Sequence, residues 1–227
     1  MNKGPDHNNK IVRMFSVSKR YGDMDALRDL TIDIWRNEFL FVTGPSGAGK
    51  STMIKLLYMG ETVSAGAILV DGVNLSRVTR KQIPQFRRKL GVIFQNFKLI
   101  STKTVFQNVA LVLEVAGING RDMQYRVSEI LERVGIEDRA GEYPPVLSGG
   151  EQQRVAVARA MVGNPKIILA DEPTGSLDPE SADQIFGLLQ SAHKSGATVI
   201  IATHDQQMIS NHKGRAIRLV NGRMVNC

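Results

Sequence analysis

The stretch that decides the fold of this chain is Gly44-Pro45-Ser46-Gly47-Ala48-Gly49-Lys50-Ser51-Thr52. It has the pattern G-x-x-x-x-G-K-[ST], between an apolar, strand-like run at residues 39–43 and a helix-compatible run at residues 50–58. Glycines let the backbone turn tightly enough for consecutive N–H groups to face one anion. The helix that follows adds the positive end of its dipole. The stretch therefore predicts a loop that binds the phosphates of a nucleoside triphosphate.

Two side chains at the end of this loop have the chemistry that the phosphates need. The Lys50 ammonium is expected to reach the β- and γ-phosphates, and the Ser51 hydroxyl is expected to hold Mg²⁺. The alternative is a glycine-rich turn with an incidental lysine. The full pattern between a strand and a helix makes that alternative the weaker interpretation.

The composition is that of a globular protein. The chain has 227 residues, of which 42% are hydrophobic and 22% are charged, enough for one large α/β domain. No run approaches the ~20 apolar residues that a membrane-spanning helix needs. Residues 1–10 are polar and predict a short disordered lead-in. The single cysteine, Cys227, allows no internal disulfide and fits a reducing cytosol.

Positive charge is concentrated in residues 77–89, although the whole chain carries a net charge of only +7. That stretch holds no acid and six cationic side chains: Arg77, Arg80, Lys81, Arg87, Arg88 and Lys89. Such a cluster could meet nucleic acid or the anionic cytoplasmic leaflet of a membrane. Only Phe86 could stack on a base, so nucleic acid is not expected as a partner. A solvated helix face is an equally good interpretation.

Strand-like and helix-like runs alternate along most of the chain, which is typical of an α/β protein. We expect an edge strand at residues 11–17, a turn at residues 19–22 that presents Tyr21, and further strands at residues 30–34, 39–43, 67–70, 91–94, 167–170, 198–203, 216–220 and 224–225. Between Gln95 and Gln153 only helical spacing occurs, at residues 105–113 and 127–134. The sequence therefore predicts an all-helical insertion in an α/β chain.

Two adjacent carboxylates follow the apolar strand at residues 167–170. They are Asp171 and Glu172, and they stand at the strand end where ligand sites of open α/β sheets lie. Adjacent residues of an extended strand point in different directions, so the two can do different work. Asp171 is expected to reach the Mg²⁺ shell, and Glu172 to polarise a water beside the γ-phosphate. An acidic strand cap is the alternative.

A second glycine-bearing stretch is Leu147-Ser148-Gly149-Gly150-Glu151-Gln152-Gln153-Arg154. It runs into a helix predicted over residues 152–161, which would offer another N-terminus to an anion. A single chain has little need for two phosphate cradles. The second one could therefore serve another subunit.

Three single residues could complete a nucleotide site. Gln95 could touch Mg²⁺ or the attacking water, His204 could donate a hydrogen bond to a γ-phosphate, and Tyr21 could stack on an adenine ring. Taken singly, Gln95 and His204 are more often ordinary strand-end polar residues, and Tyr21 is more often a packed turn aromatic.

Together these motifs resemble the ATP-binding cassette ATPases, the nucleotide-binding subunits of ABC transporters. Six motifs stand in that family's order: Walker A at residues 44–51, the Q-loop at Gln95, the LSGGQ-like signature at residues 147–152, Walker B at residues 167–172, the D-loop at residues 176–178 and the switch histidine at His204. Tyr21 stands where the family has its adenine-stacking aromatic. Glu151 stands where many members have glutamine.

The resemblance implies a P-loop NTPase fold over residues 11–227, with a RecA-like core, an antiparallel β subdomain and a helical signature subdomain inserted at residues 95–153. It implies ATP hydrolysis with Mg²⁺, catalysed by Glu172 as general base together with His204 and Lys50. Ser51, Gln95 and Asp171 would hold the metal. The residues implied to bind ATP are Tyr21, Gly44, Pro45, Ser46, Gly47, Ala48, Gly49, Lys50, Ser51, Thr52, Gln95, Ser148, Gly149, Gly150, Glu151, Asp178 and His204.

The resemblance also implies a homodimer. Two copies would pack head to tail when ATP binds, and each ATP would lie between the phosphate loop of one copy and Ser148-Gly149-Gly150 of the other. Hydrolysis and release would reopen the dimer. The helical subdomain would receive a membrane subunit, which places the chain on the cytoplasmic face of the inner membrane.

Within the family, residues 170–178 resemble the group of lipoprotein-release, macrolide-export and cell-division ATPases. Residues 83–91, 94–99 and 104–110 favour the cell-division members, whose integral membrane partner couples ATP turnover to cell-wall hydrolases. The lipoprotein-release or macrolide-export type is the alternative. A soluble ABC ATPase of nucleic-acid repair or translation is disfavoured by the single cassette and by the lack of zinc-binding cysteine clusters.

Overall fold

The computed structural model describes residues 9–225, without the side chains of residues 206–208. Most of the predicted lead-in, and Cys227, lie outside these residues; Lys10, which was assigned to the lead-in, begins the first strand. The chain divides into two compact units. The first contains the described residues up to Ile83 and from Ala202 onward, and the second is Pro84–Ile201.

Ten strands and seven α-helices follow one another within residues 9–225. In chain order they are β1 (Lys10–Tyr21), β2 (Met24–Trp35), β3 (Phe39–Thr43), α1 (Lys50–Leu57), β4 (Ala65–Val70), β5 (Val73–Asn74), α2 (Ile83–Arg87), β6 (Leu90–Ile93), α3 (Val105–Val115), α4 (Gly120–Arg133), α5 (Gly149–Met161), β7 (Ile167–Asp171), α6 (Pro179–Lys194), β8 (Thr198–Ala202), α7 (Gln206–Asn211), β9 (Arg215–Val220) and β10 (Arg223–Val225). Within the described residues no helix is long and apolar enough to cross a membrane.

The first unit contains an antiparallel sheet with the strand order β2-β1-β4-β5. The expectation that β1 is an edge strand was wrong, because Val12 pairs with Ile34 of β2 on one side and with Val70 of β4 on the other. The turn that was expected at residues 19–22 was also misplaced. Tyr21 is the last residue of β1, and the chain turns only after it, at Gly22 with φ 57°.

The first unit also carries the strand that leads into the phosphate loop. β3 is buried at all five positions and pairs in parallel with β9, which pairs in turn with the antiparallel β10. Helix α1 follows the loop and buries Met53, Ile54, Leu56 and Leu57. The predicted strand–loop–helix arrangement is therefore confirmed.

In the second unit, β7 lies between β6 and β8, and β6 and β7 run in parallel. Helix α5 packs against β6 so closely that a Cβ on Gly91 would collide with the carbonyl oxygen of Ala160. Helices α3 and α6 also contact α5. α5 is therefore the central helix of this unit, and its position fixes the loops around it.

Residues 95–153 carry α3, α4, the start of α5 and two 3₁₀ turns, and no strand. That these residues form a separate subdomain remains a prediction. Helix α6 was not predicted, although Asp178-Pro179 is a typical helix start: the Asp178 carboxylate accepts a hydrogen bond from the Ser181 N–H, and proline occupies the first turn.

Candidate active site

The phosphate loop in the first unit depends on three glycines with positive φ, namely Gly44 at 138°, Gly47 at 77° and Gly49 at 102°. A Cβ on Gly44 would collide with the Leu219 carbonyl oxygen, and one on Gly49 with the Ala26 carbonyl oxygen. A Cβ on Gly47 would meet nothing within 4 Å. The first and last glycines therefore let the loop lie against β9 and β2, and the middle one is needed for its conformation alone.

Lys50 lies inside the curve of this loop. Its side chain is buried, and its Nζ donates to the carbonyl oxygens of Gly44 at 2.8 Å and Pro45 at 3.2 Å. The loop residues from Pro45 to Gly47 are exposed. Helix α1 has no acid in its first turn and no side-chain cap. An ammonium and uncapped helical N–H groups together suit a phosphate.

His204 is placed in the same unit by the residue before it. The Thr203 N–H donates to the carbonyl oxygen of Val42 at 3.0 Å, two residues before the phosphate loop begins. The Thr203 hydroxyl in turn accepts a hydrogen bond from the Asp205 N–H at 3.1 Å. His204 is exposed between these two anchored positions. Its role at a γ-phosphate remains a prediction.

Tyr21 is half-buried at the end of β1. The Lys19 ammonium lies 4.7 Å from the centre of its ring and pairs with Glu61 at 2.8 Å. The Tyr21 hydroxyl is buried without a hydrogen-bond partner among the described residues. One side of the ring is therefore occupied by a cation, and stacking on an adenine remains a prediction for the other.

The two carboxylates of the second unit are separated by a bend in the backbone. Asp171 is the last residue of β7, and Glu172 has a left-handed backbone with φ 46°. The Gly175 N–H donates to the Glu172 carbonyl oxygen at 3.3 Å and closes a turn. Glu172 is therefore not part of the extended strand from which we expected the two carboxylates to point in different directions. Glu172 is 9% exposed.

The signature stretch begins helix α5 earlier than predicted, at Gly149 instead of Gln152. Ser148 caps the helix: its hydroxyl accepts from the Glu151 N–H at 3.2 Å, and its own N–H donates to Glu151 Oε2 at 2.8 Å. That hydrogen bond from the Ser148 N–H holds the pKa of the Glu151 carboxyl below its usual value. Gly149 and Gly150 thus form the first turn of a capped helix.

Asp178 has a structural role that the sequence prediction did not include. Its carboxylate caps α6 by accepting from the Ser181 N–H at 2.9 Å, and hydrogen bonds from Ser181 lower its pKa. Ser181 also explains Gly150, because a Cβ there would lie 2.6 Å from the Ser181 hydroxyl. Asp178 therefore sets the start of a helix that packs against the signature turn.

The second unit gathers several of the predicted motifs around the first half of α5. A Cβ on Gly149 would lie 3.9 Å both from the ring of Phe97, after Gln95, and from the side chain of Leu177 in the D-loop. Gln153 Nε2 donates to the Pro173 carbonyl oxygen at 2.6 Å, directly after Glu172. Gln95 itself is exposed.

Sequence reasoning missed three polar residues of the second unit, Asn108, Gln153 and Arg159, each of which bonds backbone carbonyl groups. A signal was present. Arg159 is the one polar residue in the otherwise apolar run 155–161 of α5, and a polar residue on an apolar helix face needs a partner; Gln153 stands among polar residues and gives no such signal.

The residues predicted to bind Mg²⁺ would need phosphate oxygens of a substrate to complete the metal's coordination. No three His, Cys, Asp or Glu side chains within residues 9–225 cluster so as to hold a metal ion. Mg²⁺ is usually held by one or two protein ligands, and phosphate oxygens and water complete its shell. The hydroxyl of Ser51, the amide of Gln95 and the carboxylate of Asp171 are oxygen donors of the required kind. Their binding of Mg²⁺ remains a prediction.

Comparison with known proteins places these motifs in one family. The family model described as ABC transporter matches residues 27–175. The cell division ATP-binding protein FtsE of Streptococcus pneumoniae D39 is 44% identical over 216 residues, which are 95% of this chain and 94% of the relative. FtsE of Bacillus subtilis is 43% identical, with 95% of both chains covered. FtsE of Escherichia coli K12 is 43% identical, with 94% of this chain and 97% of the relative covered.

Solved structures of ABC cassettes are also similar to this chain. The dimeric, post-hydrolysis state of the ATP-binding cassette MJ0796, bound to ADP and Pi, superposes with a TM-score of 0.88 at 34% identity, over 95% of this chain and 97% of that one. The ABC transporter subunit cbiO1 of Clostridium perfringens superposes with a TM-score of 0.86 at 31% identity, over 96% and 88% of the two chains. The predicted α/β P-loop NTPase fold is confirmed.

Proposed function

We propose that this chain, which belongs to the ABC transporter family, couples ATP turnover to a membrane partner of the FtsX type in bacterial cell division. The chain is an ABC ATPase and the FtsE-like, ATP-binding subunit of an ABC system. The observation that supports the finer proposal is that FtsE proteins of three bacteria match about 95% of the chain at 43–44% identity.

The candidate site residues have the functional groups that ATP hydrolysis needs. The phosphate loop and Lys50 would bind the β- and γ-phosphates, and Glu172 would take a proton from the water that attacks the γ-phosphorus while ADP leaves. His204 would hold the γ-phosphate. Mg²⁺, held by Ser51, Gln95 and Asp171, would neutralise charge on the phosphate oxygens.

A homodimer would complete the site. The N-terminus of α5, where the cap Ser148 and Gly149 after it are exposed, is suited to face a phosphate of another copy. The similar cassette MJ0796 is dimeric and holds ADP and Pi. ATP would therefore close two copies of this chain, and hydrolysis would reopen them.

The membrane partner would place the chain at the cytoplasmic face of the inner membrane. FtsE-like identity supports a partner that activates cell-wall hydrolases and transports nothing. A lipoprotein-release or macrolide-export permease is the second candidate, because those ATPases share the motif at residues 170–178 with this chain.

Affinity isolation from membranes tests the partner. A tagged chain, with Glu172→Gln to prolong the ATP-bound state, should recover an FtsX-like protein after detergent solubilisation. A parallel isolation with Lys50→Ala, which should bind ATP poorly, serves as the matched control. Recovery of a lipoprotein-release permease without any division protein would overturn the assignment to cell division.

A further inference from the structure

Residues 94–104 connect β6 to α3 without regular secondary structure, and they carry Gln95. The first half of this connection is held by Arg159 of helix α5. Arg159 Nη2 donates to the carbonyl oxygen of Phe97, and Nη1 donates to that of Lys98, both at 2.7 Å. One guanidinium therefore fixes two successive peptide groups, two and three residues after Gln95.

These two peptide groups need to be held. Phe97 has φ 50° and Lys98 has φ 53°, in the left-handed region that L-residues with a Cβ rarely occupy. A non-glycine residue keeps such a conformation only when its surroundings determine it. The Lys98 N–H also donates back to the carbonyl oxygen of Asn96, which tightens the bend.

A separate residue holds the second half of the connection. Asn108 is fully buried on α3, accepts a hydrogen bond from the Ile100 N–H at 2.8 Å and donates to the carbonyl oxygens of Ile100, Lys103 and Thr104 at 3.0 Å. Residues 100–104 are thus fixed without Arg159. Asn108 makes none of these hydrogen bonds to the bend at Phe97 and Lys98, which the Phe97 N–H closes by donating to the Phe94 carbonyl oxygen at 3.2 Å and which Arg159 holds from α5.

Helix α5 meets this segment on both sides of Gln95. Before it, Gly91 of β6 packs against the Ala160 carbonyl, next to Arg159. After it, the Phe97 ring lies beside Gly149, at the start of α5. Burial lowers the pKa of the Arg159 guanidinium, which nevertheless stays charged, because arginine keeps its proton in proteins.

We propose that Arg159 is a positioning residue, which holds the bend at Phe97 and Lys98 so that Gln95 keeps a fixed place relative to the signature turn of α5. This inference rests on the proposed function, in which Gln95 contributes to hydrolysis. Arg159 touches no reacting atom. It acts through the loop backbone.

Hydrogen exchange of the full-length protein without nucleotide tests the structural half of the inference. In Arg159→Gln, exchange of the amides of residues 96–99 should become at least about tenfold faster, while those of residues 105–115 should keep their rates. Arg159→Lys should give an intermediate result, because one ammonium lacks the fork that reaches both carbonyls. Arg133→Gln is the matched control, since Arg133 donates to the Ser191 hydroxyl at 2.6 Å on another part of the unit.

Steady-state kinetics test the functional half. Arg159→Gln should lower kcat about tenfold and change KM for ATP by less than about threefold, because the phosphate loop is untouched. Arg159→Lys should recover part of kcat, and Arg133→Gln should match the wild type. If Arg159→Gln fails to fold, Arg159→Lys carries both measurements.

Two results would overturn the inference. One is unchanged exchange at residues 96–99 in Arg159→Gln. The other is faster exchange throughout the second unit with kcat and KM changed together, since that would mean a general loss of stability. Failure of the proposed role of Gln95 would look different, because Gln95→Ala would then hydrolyse ATP at the wild-type rate while Arg159→Gln still showed faster exchange at residues 96–99.

Discussion

At the scale of single residues, Glu172 combines a buried side chain with a left-handed backbone directly after β7. Glutamine has the same shape and accepts the same backbone, but it cannot take a proton from water. We therefore expect Glu172→Gln to keep ATP binding and to lower single-turnover hydrolysis by about 10²–10⁴-fold, the usual contribution of a general base. Nucleotide binding and phosphate release are the measurements.

The matched control for this variant is Glu129→Gln, the same chemical change at an exposed position of α4. It should hydrolyse ATP at the wild-type rate. If Glu172→Gln turned over ATP as fast as Glu129→Gln does, another group would have to be the base.

The position of the phosphate loop was predictable from the sequence, and the backbone conformation at several other candidate residues was not. The phosphate loop was located from its pattern, because glycine and lysine at fixed spacing have a specific physical use. The left-handed backbones of Glu172, Phe97 and Lys98 could not be anticipated, since their residue types give no signal for positive φ. Such conformations are imposed by tertiary contacts, here Arg159 for Phe97 and Lys98.

At the scale of elements, hydrophobic periodicity located the buried strands and most helices. It could not show which strands are neighbours, because that depends on long-range pairing. β1 was taken for an edge strand because nothing in residues 11–17 reports a second neighbour. The early start of α5 could have been found, since Ser148 and Glu151 have the S-x-x-E spacing of a capping box. Glu151 replaces the family's usual glutamine without cost to that box, because either side chain accepts from the Ser148 N–H.

The Glu151 carboxylate gives the N-terminus of α5 a pH dependence. Its pKa is lowered in the folded state, so the unfolded chain binds more protons as acid is added. Its contribution is therefore complete at neutral pH and is lost as the pH falls below about 4.3, the usual value for glutamate. We expect Glu151→Gln to lower the free energy of unfolding at pH 7 by up to about 1 kcal/mol.

Urea denaturation at pH 7 and at about pH 4 measures this effect. The difference between wild type and Glu151→Gln should shrink at the lower pH, while Glu129→Gln, which removes a charge outside any cap, should show no such change. A difference of the same size at both pH values would contradict a role for the Glu151 charge.

At the scale of the whole molecule, the chain carries both a phosphate loop and a second helix N-terminus suited to a phosphate. The sequence already suggested that one chain has little use for both. Similarity to a dimeric cassette supports a site to which two copies each contribute one of these elements. Because a head-to-tail dimer exchanges the two elements, each active site would take its loop from one copy and its signature from the other. That arrangement can be tested without any structure of the complex.

Mixing two inactive variants distinguishes a shared site from a complete one. Lys50→Ala inactivates the phosphate loop and leaves the signature stretch intact. Ser148→Arg inactivates the signature stretch and leaves the phosphate loop intact. In a mixed dimer one site receives both intact halves. Because half of the dimers in an equal mixture are mixed and one of their two sites is intact, we expect about a quarter of the wild-type ATPase rate. Lys50→Ala mixed with Glu172→Gln should stay inactive if Glu172 serves the loop of its own chain. An equal mixture of Lys50→Ala and Ser148→Arg with no more activity than either variant alone would mean that the loop does not need a second copy.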